Sequence, residues 1–71
     1  MPKLPRISGT DAIRALQQLG FEKARQSGSH AIMRRDGKGC VVPMHSELKV
    51  GTLAGLLRQA EISVEEFIAN L

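Results

Sequence analysis

Two turn signals in the middle of the chain constrain the fold most strongly. Residues 27–29 read Ser-Gly-Ser, and residues 36–39 read Asp-Gly-Lys-Gly. Clusters of Gly, Ser and Asp mark tight connections, because these residues adopt turn conformations at low cost. The stretches on either side of the two signals are predicted strands, at residues 21–26, 30–35 and 40–43. Two consecutive hairpins of this kind make a three-stranded antiparallel meander.

A helix is predicted before the meander. Ser8 can cap its start, and Asp11, three residues later, completes a box-like pattern and favours the positive helix end. An apolar stripe at helical spacing follows, formed by Ala12, Ile13, Leu16 and Leu19. Gly20 supplies a typical stop signal. We therefore expect a first helix near residues 9–19.

Helical spacing returns after the meander. Apolar residues recur with helical period over residues 50–60 and predict a second helix. Gly51 and Gly55 weaken this helix, each by about 1 kcal/mol relative to alanine. Ser63, followed three residues later by Glu66, repeats the cap-and-acid pattern and predicts a short final helix.

The predicted order is α-β-β-β-α with a short C-terminal helix, which is an α+β fold. Each amphipathic helix needs an apolar partner, so the helices must cover one face of the antiparallel sheet, and the other face meets solvent or a partner. This is the general plan of a double-stranded-RNA-binding domain. The 71 residues suffice for one domain, with residues 1–7 as an extended arm, and leave little room for a deep catalytic cleft.

Basic residues are concentrated in the first half of the chain. Residues 1–38 contain eight basic and three acidic side chains, whereas residues 39–71 contain two and four. Such a positive region suits a polyanion, because neutralising phosphates releases counterions; a solvated surface with scattered charges is the alternative. The only aromatic residues are Phe21 and Phe67, both at predicted apolar positions. Base stacking on an aromatic platform is therefore not the expected binding mode.

The single cysteine and the N-terminal residues bear on location. Cys40 cannot form an internal disulfide, and its solitary presence favours a reducing compartment. The first eight residues include two prolines and no apolar run, so we expect neither a signal peptide nor a membrane anchor. We expect a cytoplasmic protein without membrane contacts. Cys40, His30 and His45 have no metal-binding spacing, so no metal and no other cofactor is expected.

The chemistry is expected at the first turn. Gly28 and Ser29 offer accessible amides and a hydroxyl to a phosphate, and His30 follows them directly. An imidazole titrates near neutral pH, so it can accept a proton from a ribose 2′-hydroxyl or donate one to the leaving 5′-oxygen. Three basic residues lie nearby in the sequence and are expected to contact RNA: Arg25, Arg34 and Lys38. The alternative is that His30 only begins a strand and forms local hydrogen bonds.

Two further residues have reactive side chains. His45 follows Pro43 in a loop before the second helix, where surface groups and helix caps are common. We expect it to contact substrate or to orient the groups that do, rather than to transfer a proton. Cys40 could act as a nucleophile with a histidine base, but its place inside a predicted strand favours a small apolar role.

An ordered set of residues resembles the HicA (YcfA-like) toxins. The set extends over nearly the whole chain after residue 5: Leu19, Gly20, Phe21, Arg25, Gln26, Gly28, Ser29, His30, Val42, Pro43, His45, Leu48, Lys49, Gly51, Thr52, Leu53, Leu57, Ala60, Ile62 and Ser63. The resemblance implies a double-stranded-RNA-binding-domain-like fold, cleavage of mRNA without a required metal, and neutralisation by a HicB antitoxin. It places the family's catalytic histidine on His30.

The resemblance and the residues together predict the toxin of a type II toxin–antitoxin system. This toxin would be an endoribonuclease, or mRNA interferase, with His30 as general acid or base. Its partners would be mRNA and a HicB-type antitoxin, with DNA contacted only indirectly through the antitoxin. Two alternatives stay open: a non-catalytic RNA-binding module of the same fold, or a protein-interaction domain whose exposed sheet face or edge strand pairs with a partner.

Overall fold

The computed structural model describes residues 3–71 and contains three helices and three strands. The helices are α1 (Gly9–Gln18), α2 (Val50–Ala60) and α3 (Val64–Ala69). The strands are β1 (Glu22–Ser27), β2 (His30–Arg35) and β3 (Lys38–Pro43), and they form one antiparallel sheet in the order β1-β2-β3. The predicted α+β fold with the plan of a double-stranded-RNA-binding domain is confirmed.

Local chemistry explains where α1 begins and ends. The Ser8 hydroxyl accepts a hydrogen bond from the Asp11 amide at 3.0 Å, as the sequence predicts. The last predicted residue, Leu19, is the C-cap, and Gly20 leaves the helix with a φ of 96°. Phe21, predicted to begin the first strand, instead donates its amide to the Leu16 carbonyl at 2.9 Å, so β1 begins one residue later.

The second hairpin is tighter than predicted. Asp36 and Gly37 both have positive φ angles, 49° and 79°, which is the signature of a two-residue turn between twisted strands. Lys38 and Gly39 therefore belong to β3, which begins two residues before the predicted start. The predicted bounds of β2 are confirmed at both ends.

The pairing of β2 with its neighbours gives the sheet two different faces. Residue pairs Ala31–Val42 and Met33–Cys40 lie on the face covered by helices, which we call the inner face. His30, Ile32 and Arg34 alternate with them and lie, with their paired residues, on the opposite face, which we call the open face. The helices cover β2 and β3, whereas β1 is exposed along its length.

The core lies between the inner face and the three helices. Its largest fully buried side chains are Phe67, Leu16, Met33, Leu48, Leu53, Leu57 and Val42. The predicted arm packs onto this core through Leu4 and Ile7, and the Ile7 carbonyl accepts a hydrogen bond from the Leu48 amide at 2.7 Å. Residues 1 and 2 of that arm lie outside the described residues.

The C-terminal helices follow the predicted signals. Glu61 ends α2 in the left-handed conformation, and the Ser63 hydroxyl accepts a hydrogen bond from the Glu66 amide at 3.1 Å to begin α3. Over residues 3–71, none of the helices has the length and apolar character needed to cross a membrane.

Candidate functional site

His30 occupies an exposed corner of the open face. It is the first residue of β2, and it pairs with Ser27 on β1 and with Pro43 on β3. Gly28 turns the chain into β2 with a φ of 58°, a left-handed conformation that glycine adopts without strain. A Cβ at Gly28 would have no neighbour within 4 Å, so the surface beside the turn is open to a ligand.

The open face also holds two of the three predicted phosphate-binding cations. Arg25 pairs with Ile32, and Arg34 lies two positions beyond Ile32 on β2, so both arginines share the face of His30. Glu22 lies opposite Arg34 on β1, yet no ion pair joins them. Within residues 3–71, neither arginine takes part in an ion pair, so both guanidinium groups can meet an anion.

Lys38 lies at the other end of the sheet. It pairs with Arg35, five positions along β2 from His30, which corresponds to roughly 17 Å of extended strand. Its ammonium group forms an ion pair with the Glu61 carboxylate at the end of α2. The structure therefore places the Gly28–Ser29 turn beside His30 and leaves Lys38 apart. Arg25 and Arg34 share the face of His30, but Arg34 lies four positions along β2, or roughly 13 Å, from it.

The loop after β3 carries His45 to the same end of the sheet as His30. The Met44 amide donates to the Ser29 carbonyl at 2.6 Å, and the His45 carbonyl accepts from the Gly9 amide at 2.9 Å. A side chain on Gly9 would collide with the Pro43 carbonyl, so glycine is what lets α1 begin against this loop. The His45 side chain is exposed, and its backbone has the structural role.

Arg35 has a structural role that sequence reasoning missed. Its guanidinium donates to the Leu19 carbonyl at 2.5 Å, at the end of α1, and stacks over the Phe21 ring at 4.8 Å from the centroid. Strand alternation was the available signal, because it places adjacent Arg34 and Arg35 on opposite faces of the sheet.

Cys40 is not placed for chemistry. It is 3% exposed on the inner face, and this burial raises the pKa of its thiol to about 11. The thiolate is the reactive form, so Cys40 is inert near neutral pH, and its predicted role as a small apolar residue is confirmed. Among residues 3–71, no three His, Cys, Asp or Glu side chains are grouped closely enough to hold a metal ion.

Comparison with known families matches the part of the chain that contains α1, the sheet and α2 to one family. The family model described as HicA toxin of bacterial toxin-antitoxin matches residues 9–62, about three quarters of the chain. The chain belongs to the HicA toxin family. This HicA match begins at α1, includes the sheet with His30, and ends just after α2. No curated protein sequence matches the chain.

Membership in the HicA toxin family gives the chain a role in a toxin–antitoxin system. It acts as the toxin, and an antitoxin is its partner. The resemblance that the sequence suggested is thus confirmed at the level of the family.

Proposed function

We propose that this HicA toxin is a metal-independent endoribonuclease that cleaves mRNA with His30 as general acid or base. The observation that carries the proposal is the open face itself. An exposed imidazole lies at its corner, beside a glycine turn, on the same face as Arg25 and Arg34, whose guanidinium groups form no ion pair with any residue from 3 to 71. A general acid or base needs access to its substrate, and a phosphodiester needs fixed positive charge around it.

The reaction uses the ribose of the RNA as the nucleophile. The 2′-oxygen attacks the adjacent phosphorus, and the bond from phosphorus to the 5′-oxygen of the next nucleotide breaks. His30 either takes the proton of the 2′-hydroxyl or supplies one to the leaving 5′-oxygen, and water serves at the other position. The products are a 2′,3′-cyclic phosphate and a 5′-hydroxyl end.

The remaining side chains hold the RNA. Arg25 and Arg34 contact phosphates on the open face, and the backbone amides and hydroxyl around Gly28 and Ser29 contact the phosphate nearest His30. Lys38, at the far end of the sheet, contacts RNA beyond the cleaved nucleotide. His45 contacts substrate at the near end, without transferring the proton itself.

The antitoxin is a HicB-type protein that covers His30. A free ribonuclease would destroy the mRNA of its own cytoplasm, and an exposed corner is easily blocked by a partner. An acidic surface on the antitoxin would complement the arginines and speed association. DNA is contacted only through the antitoxin.

The His30→Ala variant tests the proposal. Cleavage of a long RNA in buffer containing a chelator should slow by about 10²–10⁴-fold, and growth inhibition should be lost. Circular dichroism and the melting temperature should be unchanged, because the His30 side chain is exposed. RNA with a single 2′-deoxyribose at the cut position should resist the wild-type protein, and mass spectrometry should show cyclic phosphate ends.

Four results would contradict this proposal. Full activity in a folded His30→Ala variant would take the catalytic role away from His30, and RNA binding without cleavage by the wild-type protein would indicate a non-catalytic RNA-binding module. Loss of wild-type cleavage only when the chelator is present would indicate a metal ion. A protein that shows no affinity for RNA at low salt, but binds a partner protein tightly at high salt, would instead be a protein-interaction domain.

A further inference from the structure

A groove separates β3 from α2 and continues onto the open face. Its first part has a volume of about 510 Å³ and lies between Val41 and Pro43 on β3 and Gly51, Gly55 and Gln59 on α2. Its second part, also about 510 Å³, lies between Ile32, Arg34 and Gln59. Val41 and Gln59 line both parts, so the two are continuous. We call the whole the β3–α2 groove; both parts are shallow and broadly open to solvent.

The chemistry of the β3–α2 groove combines an apolar floor with cationic walls. Val41 is 43% exposed, which is unusual for a large apolar side chain in this protein, and the partly exposed Ile32 pairs with it across the sheet. Arg58 lines the first part and Arg34 the second, and Gln59 adds an amide that can both donate and accept hydrogen bonds. None of the described residues that line either part is acidic.

The β3–α2 groove begins beside His30. Pro43 lines its first part and is the residue paired directly with His30 across β2 and β3. Directly paired residues have Cβ atoms about 5 Å apart, so a chain bound in the groove passes next to the imidazole.

Two glycines leave the backbone of α2 accessible on the side of the groove. Gly51 and Gly55 lie one turn apart on α2, although glycine is a poor helix former. A Cβ built at Gly51 meets nothing within 4 Å, and one at Gly55 meets only the end of the Arg58 side chain, at 3.8 Å. Packing inside the protein therefore does not require glycine at either position, and the missing side chains leave space for a ligand.

We infer that the β3–α2 groove binds single-stranded RNA adjacent to the phosphate cleaved at His30. An unpaired base or ribose packs on Val41 and Ile32, phosphates lie against Arg34 and Arg58, and Gln59 hydrogen-bonds a base edge. A single strand is required, because the bases of a duplex are paired and cannot reach an apolar floor. The inference rests on the proposed function, since it takes RNA as substrate. It adds Ile32, Val41, Arg58 and Gln59 to the binding residues.

Filling the groove tests the inference without harming the fold. The Gly55→Leu variant places an apolar side chain in the open space and replaces a poor helix former with a good one. Its melting temperature should be unchanged or raised, while the Kd for a short, 2′-O-methylated and therefore uncleavable RNA should rise about tenfold in fluorescence anisotropy. The matched control is Gln17→Leu, at an exposed position of α1 outside the groove, for which the Kd should not change.

The cationic wall provides a second variant. Arg58→Gln should weaken binding about threefold and reduce the slope of log K against log salt by about 0.7, the value for one phosphate contact on a single strand. Arg14→Gln, on the exposed surface of α1, is the control and should leave the slope unchanged. Equal slopes for the two variants would overturn the assignment of Arg58.

Amide chemical shifts during titration of the wild-type protein with the same RNA separate this inference from the proposed function. Shifts centred on Val41, Gly51 and Gly55 support the groove, even if the protein proves not to cleave RNA. Shifts elsewhere, in a protein that does cleave RNA, overturn the groove and leave the ribonuclease intact. An absence of any shift with RNA, or shifts in the groove only on adding the antitoxin, also overturns the inference.

Discussion

The two faces of the sheet are built from the same strands but have opposite properties. On the inner face the apolar side chains of β2 and β3 are at most 3% exposed: Ala31, Met33, Cys40 and Val42. On the open face His30, Arg34 and Val41 are exposed to solvent. Along β2 and β3, therefore, a residue that stabilises the fold on the inner face alternates with a residue on the open face that is available for binding. Substitutions on the two faces should affect stability and RNA chemistry independently.

The largest stability effect is expected from Met33→Ala. Met33 is fully buried on the inner face, and its truncation leaves a cavity among the helices. The free energy of unfolding, measured with urea, should fall by about 2–5 kcal/mol. Below the denaturation midpoint, the folded fraction should still bind RNA with wild-type affinity.

Ile32→Ala is the control for Met33→Ala on the adjacent residue. Ile32 is only partly buried, on the open face, so its loss of stability should be clearly smaller, while RNA affinity should fall. Equal losses of stability at the two positions would contradict the division between the faces.

Burial of Cys40 on the inner face should make the free energy of unfolding depend on pH. The Cys40 thiol has a pKa of about 11 in the fold and near 9.0 when unfolded, so the unfolded chain loses this proton first as pH rises. The protonated, buried thiol therefore contributes about 2–3 kcal/mol to the free energy of unfolding. This contribution is fully present below pH 9 and is lost between about pH 9 and 11. The measurement is urea unfolding across this range for wild type and Cys40→Ala. The chain contains no tyrosine, so a decline of the same size in Cys40→Ala would show that other groups cause it.

Local signals explain how much of the fold could be predicted. Turn residues bound β2 on both sides, and its predicted limits are correct to the residue. The start of β3 was wrong because a turn of two residues was counted as four, and only the positive φ angles of Asp36 and Gly37 reveal the shorter turn.

Contacts distant in sequence explain what could not be predicted. Arg35 meets Leu19 and Phe21 across the end of α1, and the β3–α2 groove depends on how α2 packs beside β3. Strand alternation indicates which face Arg35 is on, but no local signal predicts its contacts with Leu19 and Phe21 or the packing of α2 beside β3. The shared face of His30, Arg25 and Arg34 was accessible to sequence reasoning because all three lie within one hairpin, whereas the strand register places Lys38 beside Arg35.

Arg34 and Arg35 allow the same comparison between adjacent, chemically identical side chains. Arg35→Gln removes a charged hydrogen bond and a cation–π contact, so the free energy of unfolding should fall by about 1–2 kcal/mol with little change in RNA affinity. Arg34→Gln should leave stability unchanged and raise the Kd for RNA about threefold. Thermal melts give the stability of both variants, and fluorescence anisotropy gives their Kd for RNA. Equal changes in melting temperature and in Kd for the two variants would contradict the division between the faces.

The smallest effect on cleavage is expected from His45→Ala. His45 lies at the same end of the sheet as His30, but we expect its side chain to contact substrate rather than to transfer a proton. The contact that fixes this loop is made by the His45 carbonyl, so His45→Ala keeps the hydrogen bond from Gly9 and should keep the melting temperature. Single-turnover cleavage should slow by less than about tenfold, against about 10²–10⁴-fold for His30→Ala. The double variant then discriminates between binding and proton transfer. If His45 only contacts substrate, the two losses multiply; if the histidines form an acid–base pair, the double variant is no slower than the worse single one, and the assignment of His45 to binding fails.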